Sequence, residues 1–527
     1  MNVVFRADAS LTIGTGHIMR CLSLAEGLRE KGAKCFFVTR EHRGNLIALI
    51  RDKGFEVIPL SPEQVSNNTD GLVYVGSTSV NPYSDWLGIS WQEDAAQTIL
   101  GISALHPDWL IVDHYSIDHN WETLIRPHCK EILVIDDLAN RRHDCDILLD
   151  QNLSHTSEQY LNLVPPDCRL LIGPKYALLR TEFSALRENS LRRRERPQLT
   201  KLLVSMGGVD SNNLTGEILS ALNECDLPQD LEITVVVGQN FPWMSQIHEQ
   251  ASKMPRPTKV FVNVSNIAQL MVESDLAIGA AGASTWERCC LGLPSITIAI
   301  AENQVEIAES LSNGGYSPVI NQSRNIKESL QGYINELSSG TVLALVSQST
   351  ARLVDGRGVI RVIEFMEVLM TRDLAIRLVT SGDELLLLNW ANDKETRENS
   401  LNKEAIHEQQ HHAWFAFRLM SPDFCKMYII YSESQGPVGQ VRFEINEDKL
   451  WEVHYSIDSS FRGMGLGRIA LKRGIEEFRN RQLGRTLMGK VKRNNLASCK
   501  IFESLDFKDI SLWPSDLAIF SLSLDIT

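Results

Sequence analysis

The chain holds 527 residues, 43% of them hydrophobic and 22% charged. These are the proportions of ordinary globular chains, and they exclude collagen-like, coiled-coil and disordered architectures. At roughly 100–200 residues per domain, the length predicts about three or four folding units. Fifty-two basic residues against 66 acidic ones leave a net charge of −14. Non-specific nucleic-acid binding needs a basic surface, so a nucleic-acid partner is not expected. A local basic pocket for a phosphorylated small molecule remains compatible with that charge.

No segment reads as a membrane span. The most apolar stretch, Leu291 to Ala301, falls well short of the roughly 20 residues required. Met1–Phe5 is too short for a signal-peptide core, and Arg6 and Asp8 follow at once. The ten cysteines are scattered and form no CxxC. Free thiols in a reducing cytoplasm are therefore expected, with no metal site and no membrane partner. The adjacent Cys289 and Cys290 read as core residues.

In chain order, Asn2–Arg6 predicts a strand, Gly16–Lys31 a helix and Lys34–Thr39 a strand. Trp109–Asp113 and Ile132–Asp136 are further short apolar runs ending in acid. This is the rhythm of a parallel sheet. Around Glu182–Arg196 the composition becomes polar and basic, reading as a solvated helix end or inter-lobe connector. A second series follows, with strands at Lys201–Ser205, Glu232–Val237, Leu276–Ile278 and Ser295–Ile300. Two consecutive α/β lobes predict a cleft at the carboxyl ends of their strands. From residue 372 the pattern changes. Leu374–Val379 opens a new unit with a helix around Asp383–Asn392. Tyr428–Ser432, Gly439–Ile445 and Trp451–Ile457 then predict an antiparallel meander.

The first strand runs into Arg6-Ala7-Asp8-Ala9-Ser10 and then Ile13-Gly14-Thr15-Gly16-His17-Ile18-Met19-Arg20-Cys21. Glycines admit a ligand close to the backbone, and a helix N-terminus attracts anions. His17 is therefore placed for a general base or for a phosphate or sugar contact. A capping or packing histidine is the plainer alternative. This string resembles the nucleotide-sugar hydrolase of pseudaminic acid biosynthesis, a relative of the two-lobed GT-B glycosyltransferases. The resemblance covers roughly residues 1–370. It continues through Val112-Asp113-His114-Tyr115, Val134 to Ala139, Asp150-Gln151-Asn152 and Leu171 to Arg180, and more weakly through Gly356-Arg357-Gly358. It implies that His17 is the base that activates water at the anomeric carbon, with inversion and departure of UDP. Gly14, Gly16 and Arg20 fall within the matched string and are expected to contact substrate. Asp8 either orients His17 or caps the turn.

In the second lobe, Ser205-Met206-Gly207-Gly208-Val209-Asp210 and Gly282-Ala283-Ser284-Thr285-Trp286-Glu287 each join a strand to a helix. Free amides at such joints suit a diphosphate. Gly207, Gly208, Ala283, Ser284 and Thr285 are the expected cradle. By resemblance to GT-B enzymes Glu287 would accept from ribose hydroxyls, a solvated helix carboxylate being the alternative. Ala301-Glu302-Asn303-Gln304 matches the family's Glu-Asn-Gln segment, which implies substrate contacts by Asn303 and Gln304. Asn303 could equally be a helix cap. Asp136-Asp137 reads as structural.

Near the C-terminus, Arg462-Gly463-Met464-Gly465-Leu466-Gly467 lies between the strand Trp451–Ser456 and an amphipathic helix, Ile469 to Arg479. Unobstructed amides there would hold a pyrophosphate. The loop resembles the acetyl-CoA motif of GNAT-family N-acetyltransferases. That resemblance implies acetyl-CoA as co-substrate, held by Ile457, Arg462, Gly463, Gly465, Leu466, Gly467, Asn495 and Phe502. Two departures stand out: Asp506 replaces the common glycine before Phe507, and Phe502 occupies the position that often holds an acidic tyrosine. Cys499, Ser498, Tyr455 or a water remain as proton donors. Arg397, Ser400 and Trp414 resemble the acceptor side, whereas His411 and His412 read as helix-surface residues.

The expected architecture is α/β throughout: a Rossmann-like lobe over 1–180, a UDP-binding lobe over 181–371, together GT-B-like, and a GNAT domain over 372–527. Taken together, the resemblances imply a bifunctional enzyme of pseudaminic acid biosynthesis. One part would acetylate the C4 amine of UDP-4-amino-4,6-dideoxy-N-acetyl-β-L-altrosamine, and the other would hydrolyse the diacetamido product. The partners expected are UDP-amino-sugars and acetyl-CoA. A GT-B glycosyltransferase with an acceptor other than water is the alternative, as is a non-catalytic sugar-nucleotide module.

Overall fold

The computed structural model describes residues 1–61, 83–208, 210–239, 241–301, 304–320, 326–370, 374–432, 436–462, 466–511 and 516–524. Asn303, Gly463 and Gly465, all expected at a site, lie outside the described residues. The chain divides into two compact units. Residues 2–30 and 34–366 form one, and residues 367–527 with Met1 and 31–33 form the other.

The larger unit contains two parallel sheets. The first comprises β1 (Asn2–Ala7), β2 (Lys34–Arg40), β3 (Glu56–Leu60), β4 (Trp109–Asp113), β5 (Glu131–Ile135), β6 (Ile147–Asp150) and β7 (Arg169–Ile172). Their order is β3-β2-β1-β4-β5-β6-β7. The second comprises β8 (Lys201–Ser205), β9 (Glu232–Val237), β10 (Thr258–Val262), β11 (Leu276–Ala280), β12 (Ser295–Ile298) and β13 (Val319–Ile320), in the order β10-β9-β8-β11-β12-β13. Continuous apolar strands such as Leu-Ile-Val in β4 bury both faces, as a helix-covered parallel sheet requires. In each sheet the strand order reverses at one place, between β1 and β4 and between β8 and β11. Such switch points open crevices at the carboxyl ends of their strands. The Gly14–Gly16 and Gly207-Gly208 segments follow β1 and β8.

Helix Gly358–Met370 returns to pack on the first helix, Gly16–Glu30. A Cβ at Gly27 would fall 2.5 Å from Val359 Cγ1, so only glycine admits that approach. The basic run after Glu182 is part of helix Thr181–Arg193. Arg192, Glu195 and Arg196 are exposed, as expected of a solvated end, and Arg194 alone departs from that expectation. Arg194 is only 3% exposed. Its guanidinium donates to the carbonyls of Met271 at 2.8 Å and Ser274 at 2.9 Å, at the end of helix Ile267–Glu273. Those carbonyls lack intrahelical partners, which an arginine supplies. Cys289 and Cys290 are buried in the second lobe's core.

The smaller unit has one mixed sheet of β14 (Leu374–Leu378), β15 (Cys425–Ser432), β16 (Gly436–Ile445), β17 (Trp451–Ile457), β18 (Thr486–Lys492), β19 (Lys508–Asp509) and β20 (Leu517–Ser523). The order is β14-β15-β16-β17-β18-β20-β19. β15 to β17 form the expected antiparallel meander, and β14 extends it by pairing antiparallel with β15. β17 and β18 run parallel and pair only at Trp451↔Leu487 and Glu452↔Met488. Beyond those pairs the two strands part. Helix Leu466–Asn480 covers the meander, with Gly474 pressed against Val441 and Phe443. Among the described residues no helix is long and apolar enough to cross a membrane.

Candidate functional site

A cavity of about 920 Å³ lies in the larger unit, lined from both lobes. From the first lobe come Gly14, Gly16 and Arg20; from the second come Gly207, Gly208, Ala283, Ser284, Glu287 and Gln304. All of these were expected from sequence. The loop before Gly16 is fixed by its own hydrogen bonds: Ser10 Oγ accepts from Thr12 and Ile13 N–H, and Gly14 N–H donates to Ser10 O at 2.9 Å. Gly14 has φ +82° and Gly207 φ +101°, the left-handed region that glycine adopts without strain.

His17 follows the cavity-lining Gly16 in sequence, is not itself among the lining residues, and is 7% exposed. Its Nδ1 donates to Asp113 Oδ1 at 2.5 Å, so Nε2 is the nitrogen left to act as base. Arg20 grips the same carboxylate through Nε at 2.6 Å and NH2 at 2.7 Å, and reaches Asp137 through NH1 at 2.6 Å. Burial disfavours the charge on Asp113, yet Arg20 and His17 hold it below the usual carboxylate range. Burial likewise opposes the charge on Arg20, and Asp113 and Asp137 more than offset it. Tyr115 packs edge-on against the His17 ring at 4.7 Å and donates its hydroxyl to Asp137 at 2.9 Å. Trp86 stands 6.1 Å from His17 and 5.4 Å from Tyr115, and lines the cavity with Tyr83.

Asp113 therefore occupies the orienting place that the sequence offered to Asp8. Asp8 neither meets His17 nor caps the loop. It is wholly buried, accepts from Arg6 NH1 at 2.7 Å and from Arg40 N–H at 2.7 Å, and lies 3.3 Å from His114 Nε2. Asp94 completes that cluster, accepting from Arg6, Arg40 and Trp121. Burial works against the Asp8 charge, and Arg6, His114 and His42 nevertheless keep it ionised. Thr285 is also displaced from its expected role. Its hydroxyl donates to Ala280 O at 3.4 Å and accepts from Arg288 at 3.2 Å, away from the cavity lining. Asp137 belongs to the site through Arg20, whereas Asp136 is structural, tied to Arg141, Ala139 N–H and Tyr160.

In the second lobe, Asp210 caps helix Leu214–Asn223, accepting from Leu214 N–H at 2.9 Å and Thr215 N–H at 2.8 Å. A Cβ at Gly238 would meet Gly208 O at 1.9 Å, so the Gly207-Gly208 loop rests directly on that backbone. Burial pushes the Glu287 carboxyl upward, and Arg180, 3.4 Å away, pulls it back. Gln304 Oε1 accepts from Ile300 N–H at 3.2 Å, which anchors the loop after β12.

In the smaller unit, Leu466 and Ile457 are buried in the core beside Phe502. Gly467 faces Ile501 and Tyr455 so closely that its Cβ would lie 3.1 Å and 3.5 Å from them. Two expected cofactor contacts are corrected. The Arg462 guanidinium is engaged by Ile457 O at 3.1 Å, Asp393 at 2.5 Å, Glu395 at 3.1 Å and Thr396 at 3.0 Å, so it braces the loop against helix Lys394–Asn399. Asn495 Oδ1 caps helix Leu496–Ser504 by accepting from Ser498 N–H at 3.1 Å. Phe502 is a core ring stacked on Phe520 at 5.2 Å. Tyr455 lies 6.1 Å from that ring and donates to Ser498 Oγ at 3.0 Å. Burial pushes its phenol up to about 12. Asp506 has φ +65°, the conformation for which the glycine it replaces is suited. His411, expected on the surface, is 3% exposed and stacked on Phe415 at 5.9 Å. His412 does face solvent, paired with Glu384 at 2.8 Å.

Residues 373–508 match the Acetyltransferase (GNAT) domain, and residues 202–350 match the Glycosyltransferase family 28 C-terminal domain. Two family models thus match separate stretches of one chain. A UDP-2,4-diacetamido-2,4,6-trideoxy-beta-L-altropyranose hydrolase of Campylobacter jejuni is 29% identical over 318 residues, 60% of this chain and 98% of its own. The chain is thus homologous to that hydrolase in its larger unit and carries a GNAT domain in the smaller. An uncharacterized protein of Methanocaldococcus jannaschii is 24% identical over 529 residues, 96% of this chain and 97% of its own, so the relationship spans the fusion. MurG of Acinetobacter baumannii shares the GT-B-like fold, with a TM-score of 0.50 and 15% identity over 69% of this chain and 99% of that one.

Proposed function

We propose that the chain performs two consecutive steps on one UDP-amino-sugar. Its GNAT domain transfers acetyl from acetyl-CoA to the C4 amine of UDP-4-amino-4,6-dideoxy-N-acetyl-β-L-altrosamine. Its two-lobed region then hydrolyses the resulting UDP-2,4-diacetamido-2,4,6-trideoxy-β-L-altropyranose to free sugar and UDP. The domains run over 1–180, 181–371 and 372–527. The observation that carries the reading is His17, held by Asp113 and next in sequence to Gly16, which lines a cavity walled by glycine loops of both lobes.

In this reading Nε2 of His17 takes the proton of the attacking water while Asp113 stabilises the imidazolium that forms. Arg20 holds Asp113 ionised. The diphosphate lies toward Gly207, Gly208, Ala283 and Ser284, and Glu287 accepts from the ribose. Asn303 and Gln304 contact the sugar or its leaving group. In the GNAT domain, the parting of β17 from β18 exposes strand edge to the extended arm of acetyl-CoA. The pyrophosphate falls at the loop before helix Leu466–Asn480. Tyr455 stands beside Phe502 and replaces the tyrosine absent there as donor to the departing thiolate.

Incubating the full chain with the UDP-4-amino sugar and acetyl-CoA, with water as the only acceptor, tests the reading. Free UDP, free diacetamido sugar and CoA thiol are the expected products. An acetylated nucleotide sugar that stays uncleaved until another acceptor is added would instead mark a glycosyltransferase.

A further inference from the structure

The second lobe buries an arginine beside the cavity that makes no ion pair among the described residues, Glu287 on the same helix acting on it only through space. Arg288, on helix Ser284–Cys290, is 3% exposed. Its NH2 donates to Ala280 O at 2.9 Å and Thr285 Oγ1 at 3.2 Å, and its NH1 to Ser284 Oγ at 3.1 Å. Among the described residues its Nε has no acceptor and no ion pair includes it. The buried arginines of the first lobe are built differently. Arg6, Arg20 and Arg40 each hold a carboxylate at 2.6 Å. Strand β11 makes room for the Arg288 group by carrying Gly279, where a Cβ would fall 2.6 Å from NH1.

Carbonyl and hydroxyl dipoles solvate this guanidinium, Glu287 offsets its charge only through space, and a buried charge outside an ion pair is costly. Two of the groups it grips, Ala280 and Ser284, line the cavity, at the end of β11 where the strand order of the second sheet reverses. The charge therefore lies directly behind the cavity wall at the crevice where a ligand is expected.

We propose that Arg288 is a positioning residue whose counter-charge is the diphosphate of the bound nucleotide. It holds Ser284 and the 280–285 loop in place for the phosphate oxygens, and its field favours a diphosphate over an uncharged nucleoside. The inference rests on the UDP-sugar reading above. The bland rival is an arginine that merely shapes the loop, which would affect nucleoside and nucleotide alike.

Calorimetric titration of the full chain with UDP and with uridine separates the two. Wild-type protein without a preference for UDP would overturn the UDP reading itself, independently of Arg288. With that preference present, Arg288→Gln is expected to reduce it by roughly tenfold or more while uridine affinity stays within about twofold. Arg288→Lys, which keeps the charge, is expected to retain the preference within about threefold. An unchanged preference in Arg288→Gln, or a proportionate loss of both ligands, would overturn the proposal. If Arg288→Gln does not fold, Arg288→Lys decides: a preference kept supports the proposal, and a tenfold loss refutes it.

Discussion

His17 and Asp8 are nine residues apart in the chain and have separate tasks. Gly14 and Gly16, which frame it at the end of the first strand, are what singled out His17 as the proposed base. Its partner was not legible, because Asp113 lies 96 residues downstream and meets it only through the pairing of β1 with β4. The nearer acid, Asp8, is drawn instead into the Arg6–Asp94–Arg40 cluster. Substitutions divide these roles. His17→Asn is expected to slow UDP release by about 10³-fold, and Asp113→Asn by about 10²-fold, with acetyl transfer unchanged in both. Asp8→Asn instead leaves the buried Arg6 short of a carboxylate. It is expected to lower unfolding stability by about 3 kcal/mol in denaturant titration while leaving KM near wild type.

At the scale of elements, apolar runs located the strands well, because parallel strands covered on both faces have no polar side to confuse them. Lys201–Ser205, Glu232–Val237 and Trp451–Ile457 are read from sequence with the bounds that the fold shows. Contacts between elements were not legible. The clearest is His155, buried between Asp150 of β6 and Glu306 of helix Val305–Asn313, with Nε2 to Glu306 at 3.0 Å. Tyr160 donates to the same Asp150 at 2.7 Å. Burial opposes protonation of His155, but Asp150 and Glu306 override it and raise the imidazole to about 9. A raised histidine stabilises the fold fully below its unfolded value near 6.5 and ceases to do so as pH rises through about 9. Thermal unfolding between pH 7 and 10 is therefore expected to fall by a few degrees more in wild type than in His155→Asn, a change on the scale of about 1 kcal/mol. Parallel curves would show that the ring is neutral throughout.

At the scale of the molecule, the two units match different family models, and each keeps its own core. The change of pattern near residue 372 was visible because an antiparallel meander follows a parallel series. The loops corrected by the fold, at Arg462 and Thr285, were misread for a shared reason. A polar residue beside a glycine loop can serve the ligand or brace the loop, and only its partners distinguish these. Tyr455→Phe is expected to reduce acetyl transfer by about 10- to 100-fold without altering UDP release from the diacetamido substrate. Full acetyl transfer in that variant would pass the proton to Ser498, Cys499 or water. The measurement that bears most directly on the whole account is NMR observation of products from the UDP-4-amino sugar, with and without acetyl-CoA, for wild type and His17→Asn. UDP and diacetamido sugar are expected from wild type only when acetyl-CoA is present, and the uncleaved acetylated nucleotide sugar from His17→Asn. UDP released at the wild-type rate by His17→Asn would contradict the account at its centre.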